Sequence, residues 1–324
     1  MPKRSVTERL VVVAENRAAI LAIQNVLVGV AAPQDASLPN PLFLQGSTGV
    51  GKTCLIDALI AELDELDLDI RRLGAHEFAD DGKLEDAVLV VVEDLQHLPT
   101  RLAHDLVRLM DARLACDRPM IFTANVGPGR LKYRGTAFPR RLTSRLAGGL
   151  VVEMLPMQPA SRRKLLKVLA EDASVSVASD VLDWLAENLT GGGRQIDGAI
   201  RQVRALQRLQ PRPLTLDQVR SHFRTQVEAT RPTMQRIAEH VSSYYHVKPT
   251  HVLSARRSRD VLLPRQVSMY LARTLTDLSF EKIGQYFGGR DHNTVHHACK
   301  KVAIEMKRDA TLSGAVRQMR AELC

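Results

Sequence analysis

No uninterrupted apolar run reaches the length of about 18 residues needed to cross a bilayer as a helix, and Met1-Pro2-Lys3-Arg4-Ser5 is not followed by the apolar core of a secretory signal. A soluble, cytoplasmic protein is expected. Cysteine is scarce: Cys54, Cys116, Cys299 and Cys324 are scattered, without a C-x-x-C pair. That excludes a zinc ribbon and makes reduced thiols the default. Repeats and low-complexity tracts are missing too. With 45% hydrophobic and 25% charged residues, disordered, collagen-like and mucin-like chains are excluded. The 324 residues suggest about two domains, or three small ones.

What the chain does have is positive charge, unevenly placed. Residues 230–324 hold 16 Lys+Arg against 8 Asp+Glu and so carry +8 of the formal +9, whereas residues 1–229 hold 29 against 28. A compact module facing a polyanion would look like this, nucleic acid foremost; a merely solvated basic surface is the alternative.

Residues 41–45 read as a short buried strand that runs into Gly46-Ser47-Thr48-Gly49-Val50-Gly51-Lys52-Thr53, after which Leu55, Ile56, Leu59, Ile60 and Leu63 recur at helical spacing. Further short apolar runs at 87–92, 119–123 and 150–154 read as strands, with a helical pattern (Leu102, Leu106, Leu109, Met110) between the first two. Strands alternating with helices predict an α/β fold with a parallel sheet covered on both faces. From about residue 159 the pattern is helical, through 165–170, 180–189, 194–209 and 215–227, as in a helical lid. A break at Thr230-Arg231-Pro232 precedes a last all-α stretch. The expected domains are 1–157, 158–229 and 230–324.

The stretch Gly46 to Thr53 matches G-x-x-x-x-G-K-T between a strand and a helix, the context a phosphate-cradling loop needs. Glycines let backbone N–H groups converge on phosphate oxygens, and the helix N-terminus adds partial positive charge. Gly46, Gly49, Val50, Gly51, Lys52, Thr53 and Cys54 are therefore the expected binders of ATP or ADP, with Lys52 on the β/γ-phosphates and Thr53 on Mg²⁺. Glu93-Asp94 ends an apolar strand and is the candidate pair for metal and water handling, a plain strand-end pair being the alternative. Asn125 ends the next strand where a polar sensor of the γ-phosphate would lie, or is a turn residue. Arg145 and Arg194 are the arginines expected near phosphate, one from a neighbouring subunit and one from the lid, although most isolated arginines are solvated surface.

In the last stretch, Phe280, Ile283 and Phe287 mark one helix, Gly288-Gly289 a stop, and Val295, Cys299 and Val302 the inward face of a second helix starting near Asp291. Two helices around a tight glycine turn make a helix-turn-helix. The second helix carries His292, Asn293, Thr294, His296, His297, Lys300 and Lys301 on its other faces, groups suited to a major groove. Zinc on His292 and His296 lacks a third ligand on a matching element. Arg256-Arg257-Ser258-Arg259 forms a basic loop, and Pro264 suits the first turn of the helix after it.

These residues resemble the DnaA family of bacterial chromosomal replication initiators, AAA+ ATPases fused to a DNA-binding domain. The likeness runs over about residues 8–309 and is most specific at Ala255–Arg259, Leu263–Gln266 and Phe287–Cys299. It implies that Arg145 is an arginine finger acting on a neighbour's ATP and that Arg194 is the sensor 2 arginine. It also implies that Arg257 enters the minor groove with Arg256 as a further DNA-binding residue, that Arg265 and Gln266 contact DNA backbone and base, and that Asp291, His292, Asn293 and Thr294 read the major groove of origin boxes. Self-assembly on double-stranded DNA in the ATP state is implied, and peripheral contact with acidic lipid is compatible with the family.

Four features depart from the family pattern. Only about forty residues precede the phosphate loop, so the N-terminal helicase-recruiting domain is expected to be missing. The stretch Arg71–Val88 is too short for the two helices the family inserts there. Glu93 replaces an Asp, and Asn293 stands where Thr is usual, which exchanges a methyl for an amide that favours adenine. The leading reading is an ATP-dependent, box-specific initiator-type protein with slow, switch-like hydrolysis. The second is a DnaA-like transcriptional regulator or box-titrating paralogue, and a helicase or clamp loader is the third.

Overall fold

The computed structural model describes residues 10–31, 39–79, 82–210, 214–254, 258–276 and 278–323. The chain divides into two compact units, the first running to Glu187 and resuming at Gly191–Leu216, the second taking Asn188–Thr190 and Asp217 onward. Among the described residues no helix is long and apolar enough to cross a membrane.

The first unit opens with α1 (Arg17–Ala31), β1 (Leu42–Gln45), α2 (Lys52–Leu63), β2 (Ile70–Gly74), α3 (Lys83–Asp86) and β3 (Leu89–Glu93). It continues with α4 (Ala103–Ala115), β4 (Met120–Ala124), a small antiparallel pair β5 (Lys132–Tyr133) and β6 (Thr136–Ala137), α5 (Arg140–Ala147) and β7 (Leu150–Glu153). Helices α6 (Pro159–Asp172), α7 (Ser179–Asn188) and α8 (Gly193–Arg208) follow. Strands β2-β3-β4-β1-β7 form one parallel sheet in that order. Strand β4 is thus inserted between β1 and β3.

Period-two alternation sends Leu42, Leu44, Leu89, Val91 and Ile121 into the core under α1 and α2. Phe43, Val90, Val92 and Phe122 go to the opposite core, with Leu106, Leu109 and Met110 of α4 and Leu142 and Leu146 of α5. Because both faces of the inner strands β1, β3 and β4 are covered, those strands carry continuous apolar runs, and the four expected strands are present within about two residues.

Two elements lie beyond the expectation. Helix α1 buries Ala19, Ile20, Ile23, Val26 and Val30 at helical spacing. Strand β2 reads Ile-Arg-Arg-Leu-Gly, and it sits at the sheet edge with Arg71 and Arg72 exposed. Between β2 and β3 the described residues form one four-residue helix, α3, in keeping with the short insertion. Its end is latched by Arg113 of α4, which is 1% exposed. Arg113 Nη1 donates to the carbonyls of Leu84 (2.6 Å) and Ala87 (2.9 Å), and Nη2 to that of Pro119 (2.8 Å). Burial pulls the guanidinium down to about 10, with Arg118 nearby adding to the effect.

The second unit contains α9 (Leu216–Thr230), α10 (Met234–Tyr244), α11 (Pro249–Leu253), α12 (Arg259–Leu275), α13 (Phe280–Tyr286), α14 (His292–Glu305) and α15 (Ala310–Leu323). Its core joins Ile237, Val241, Val267, Leu271, Ile283, Phe287, Val295, Val302 and Met319. Helix α9, expected in the lid, groups with this unit. Helix starts are chemically marked: Thr233, Ser279 and Asp291 accept the amides of Arg236, Lys282 and Asn293. The turn between α13 and α14 needs positive φ at Gly288 (92°) and Gly289 (66°). Pro264 is corrected from a first-turn position: α12 begins at Arg259, five residues earlier. The apolar face that includes buried Val261 favours starting the helix upstream despite the donor Pro264 lacks.

Candidate functional site

A cleft of about 540 Å³ opens in the first unit at the end of β1. Thr48, Gly49, Val50, Gly51, Lys52, Thr53 and Cys54 line its floor. Gly49 and Gly51 take φ of 90° and 106°, the conformation that lets this loop turn back on itself into the first turn of α2. Lys52 is 8% exposed, and its Nζ donates to the carbonyls of Gly46 (2.7 Å) and Ser47 (3.2 Å). Burial pushes its pKa below the ordinary lysine value, while Asp94 and Glu93 oppose the shift. Gly46 thus supports Lys52 without itself lining the cleft.

At the tip of β3 the two expected acids part ways. Asp94 lines the cleft; its backbone N–H donates to Thr123 Oγ1 (3.0 Å), and its Oδ1 accepts Gln96 Nε2 (3.0 Å). Glu93 does not line it. The Glu93 carboxylate accepts Arg72 Nε at 2.6 Å and its side chain is 12% exposed. Asn125 is exposed and outside the lining; its backbone N–H donates to Gln96 Oε1 (3.1 Å), so it joins the Asp94 network through its amide. Thr53 and Asp94 therefore place a hydroxyl and a carboxylate in the cleft. Such hard oxygen donors suit Mg²⁺, which completes its shell with phosphate oxygens and water.

The lid meets the phosphate loop directly. Gly193 N–H, at the start of α8, donates to the Gly49 carbonyl at 3.1 Å. Arg194 and Asp197 line the cleft from the same helix. Arg145 lies elsewhere, on α5, donating to Asp111 Oδ1 at 2.6 Å. Arg145, together with Arg141, holds the Asp111 carboxyl below the ordinary aspartate range.

One wall was missed by sequence reasoning. Leu10, Val11 and Val13 line the cleft together with Met154, Leu155, Met157, Leu165 and Leu169, an apolar lining of the kind a planar base enters. Asn16 folds the first segment, accepting Val13 N–H (2.8 Å) and donating to the Val11 carbonyl (3.0 Å). Glu15 ties it to α6 by accepting Gln158 N–H (2.8 Å) and Ser161 Oγ (2.7 Å). The wall is built of isolated apolar residues from three places, so no periodicity marks it.

In the second unit, His292, Asn293, Thr294, His296, His297, Lys300 and Lys301 are all exposed along α14, while Val295, Ala298 and Val302 are buried. The helix is held close to α13, where a Cβ on Gly284 would meet the Arg290 carbonyl at 2.0 Å. Asp291 uses its carboxylate as the N-cap, accepting Asn293 N–H at 2.7 Å. Gln266 is half-buried. Arg256 and Arg257 lie outside the described residues. Arg265, expected to contact DNA, is 3% exposed, and its Nε and Nη2 donate to the carbonyls of Val252 and His251, both at 2.7 Å. Those carbonyls sit in the short helix α11, whose ends need partners. In this structure Arg265 braces α11 against α12.

The sheet order, with a phosphate loop leaving β1 and an extra strand between it and the acid-tipped β3, is that of an AAA+ ATPase; the second unit adds an all-α helix-turn-helix domain. The family model for the bacterial dnaA protein helix-turn-helix matches residues 234–302. The chromosomal replication initiator protein DnaA of Rhodopseudomonas palustris (strain HaA2) is 34% identical over 314 residues, covering 89% of this chain and 66% of that protein. AMPPCP-bound DnaA from Aquifex aeolicus is 25% identical with a TM-score of 0.59 over 100% of this chain and 99% of that one. A replication initiator DnaA bound to AMPPCP and single-stranded DNA gives 25%, 0.58, 100% and 99%. The chain belongs to the DnaA family. It spans just under two thirds of the length of the curated relative from Rhodopseudomonas palustris.

Proposed function

We propose that this protein binds short origin boxes in double-stranded DNA under the control of ATP, and that slow hydrolysis acts as an assembly switch. The observation that carries the reading is the contact between Gly49 and Gly193. It couples the phosphate loop to the lid helix that bears Arg194, so nucleotide state and lid position are linked. In this reading residues 1–157 hold nucleotide, 158–229 form the lid and 230–324 read DNA, with α9 grouped with the reader. The apolar wall takes the base, the loop amides and Lys52 take the phosphates, and Thr53 and Asp94 hold Mg²⁺. When bound, that ion neutralises charge on the β- and γ-phosphates. Arg194 adds charge from the lid. Arg145, exposed and remote from its own cleft, is suited to act on a neighbouring subunit's ATP. His292, Asn293 and Thr294, on the exposed first turn of α14, read base edges. Such a protein works on the nucleoid, in the cytoplasm. Likeness to AMPPCP-bound family members supports nucleotide binding.

A second reading, a DnaA-like regulator or box-titrating paralogue without strand opening, is favoured by the four-residue helix that is the one helix among the described residues between β2 and β3. Footprinting on the chromosomal origin with ATP or ADP separates the two. ATP-dependent protection with strand opening is expected of an initiator, and protection alone of the regulator. Lys52→Ala should lose the ATP dependence in either case, and protection of boxes independent of nucleotide and of Lys52 defeats the switch.

A further inference from the structure

We propose that Arg72 is a positioning residue that holds the Glu93 carboxylate away from the phosphate-binding cleft and so sets how much divalent cation the protein needs to retain nucleotide. The inference rests on the nucleotide-site reading above. Arg72 lies on β2 beside Val91 of β3, in a register that brings Gly74 beside Glu93. Its Nε donates to Glu93 Oε1 and its Nη1 to Asp57 Oδ1, both at 2.6 Å. Asp57 itself lines the cleft.

A guanidinium presents its donors in a planar fork, so two bonds to two carboxylates fix one orientation. Exposed ion pairs are weak, but the Glu93 side chain is only 12% exposed, and a short charge-assisted bond at such a site is stronger than a surface pair. Glu93 also acts electrostatically on Lys52, so its carboxylate already interacts with two cations of the protein before any metal arrives. A cation in the cleft must then compete with Arg72 for Glu93 or bind without it. The arrangement accounts for an arginine in a strand whose neighbour β3 is wholly apolar up to Glu93. It also gives the longer acid a reason: an aspartate at this position is one methylene shorter and reaches less far toward Arg72.

The test is a titration of the full chain with N-methylanthraniloyl-ATP at varied Mg²⁺ and in EDTA, for wild type, Arg72→Met, Arg72→Lys and the double variant Arg72→Met/Glu93→Gln. Arg72→Met should lower the Mg²⁺ midpoint for nucleotide retention about three- to tenfold, with affinity in EDTA unchanged within about twofold. Arg72→Lys should fall between. The double variant should return the midpoint to wild type or above, since no carboxylate remains to be released. An unmoved midpoint in Arg72→Met, or an affinity loss equal with and without Mg²⁺, overturns the role. If Arg72→Met fails to fold, Arg72→Lys carries the same readout, and an unmoved midpoint there overturns the role equally. A wild-type protein that holds no nucleotide under any condition defeats the nucleotide-site reading and this inference with it; binding with an unmoved midpoint defeats this inference alone.

Discussion

Replacing Gly192 by alanine isolates the contact between lid and phosphate loop. Gly192 has φ −70° and ψ −171°, a backbone that any L-residue adopts, so the substitution introduces no conformational strain. What it introduces is a Cβ 2.0 Å from the Gly49 carbonyl oxygen, 2.4 Å from its carbon and 2.6 Å from its Cα. Ordinary contact starts near 3.4 Å, so the two backbones must separate by about 1.4 Å, and no flexible side chain is present to yield. The Gly193 to Gly49 hydrogen bond at 3.1 Å cannot survive that shift. Overpacking of this kind costs about 1–3 kcal/mol, and if the displaced loop is the one that holds phosphate, ATP affinity falls by up to about five- to 150-fold. Gly193→Ala is the internal control: nothing lies within 4 Å of its Cβ, and alanine at the start of a helix is tolerated or helpful. Equilibrium titration with a fluorescent ATP analogue, paired with thermal melts in the absence of nucleotide, reads both effects. Equal affinities for Gly192→Ala and Gly193→Ala would falsify the coupling of lid to loop.

Two further outcomes test the assignments of individual arginines. Arg265→Met should take from the Val252 carbonyl its donor and leave that of His251 to Ser254, at a cost of about 1–3 kcal/mol, which lowers the melting temperature of the second unit by roughly 5–20 °C; unchanged melting with weakened DNA binding would return Arg265 to the phosphate backbone. Arg145→Ala should leave ATP affinity intact and cost under about 1 kcal/mol of stability, because Asp111 keeps Arg141 and exposed pairs contribute little. Its turnover should fall only at protein concentrations where subunits assemble, and a loss equally large in dilute monomer would remove it from a role between subunits.

The parts of this protein legible in sequence are those in which a local pattern is the physical cause. Strands β1, β3 and β4, buried on both faces, must be continuous apolar runs, the phosphate loop must carry glycines at fixed offsets, and Gly288-Gly289 must stop α13 because the turn needs positive φ at both. The apolar wall of the cleft was not legible, because Val11, Met154 and Leu165 come together only after the chain has folded, and each alone is an ordinary apolar residue. Strand β2 was hidden for a related reason: an edge strand with one neighbour tolerates Arg71 and Arg72, so its apolar signal is thin.

Arginine shows why site residues resist the same treatment. Arg72, Arg113, Arg145, Arg194 and Arg265 look alike in a sequence, and spacing ranks them by neighbouring motifs alone. Their roles are decided by what stands within about 3 Å. Carbonyls left over at the end of a short helix claim Arg113 and Arg265, since a buried backbone acceptor needs a donor and one guanidinium carries enough N–H groups to serve several acceptors. Carboxylates at the sheet edge and on α4 claim Arg72 and Arg145. Arg194, at the open mouth of the cleft on the first turn of α8, is the one of these five whose guanidinium is both solvent-facing and beside the phosphate loop. A motif therefore identifies which arginines are near the chemistry, but the backbone acceptors that need satisfying determine which of them remain available to a phosphate.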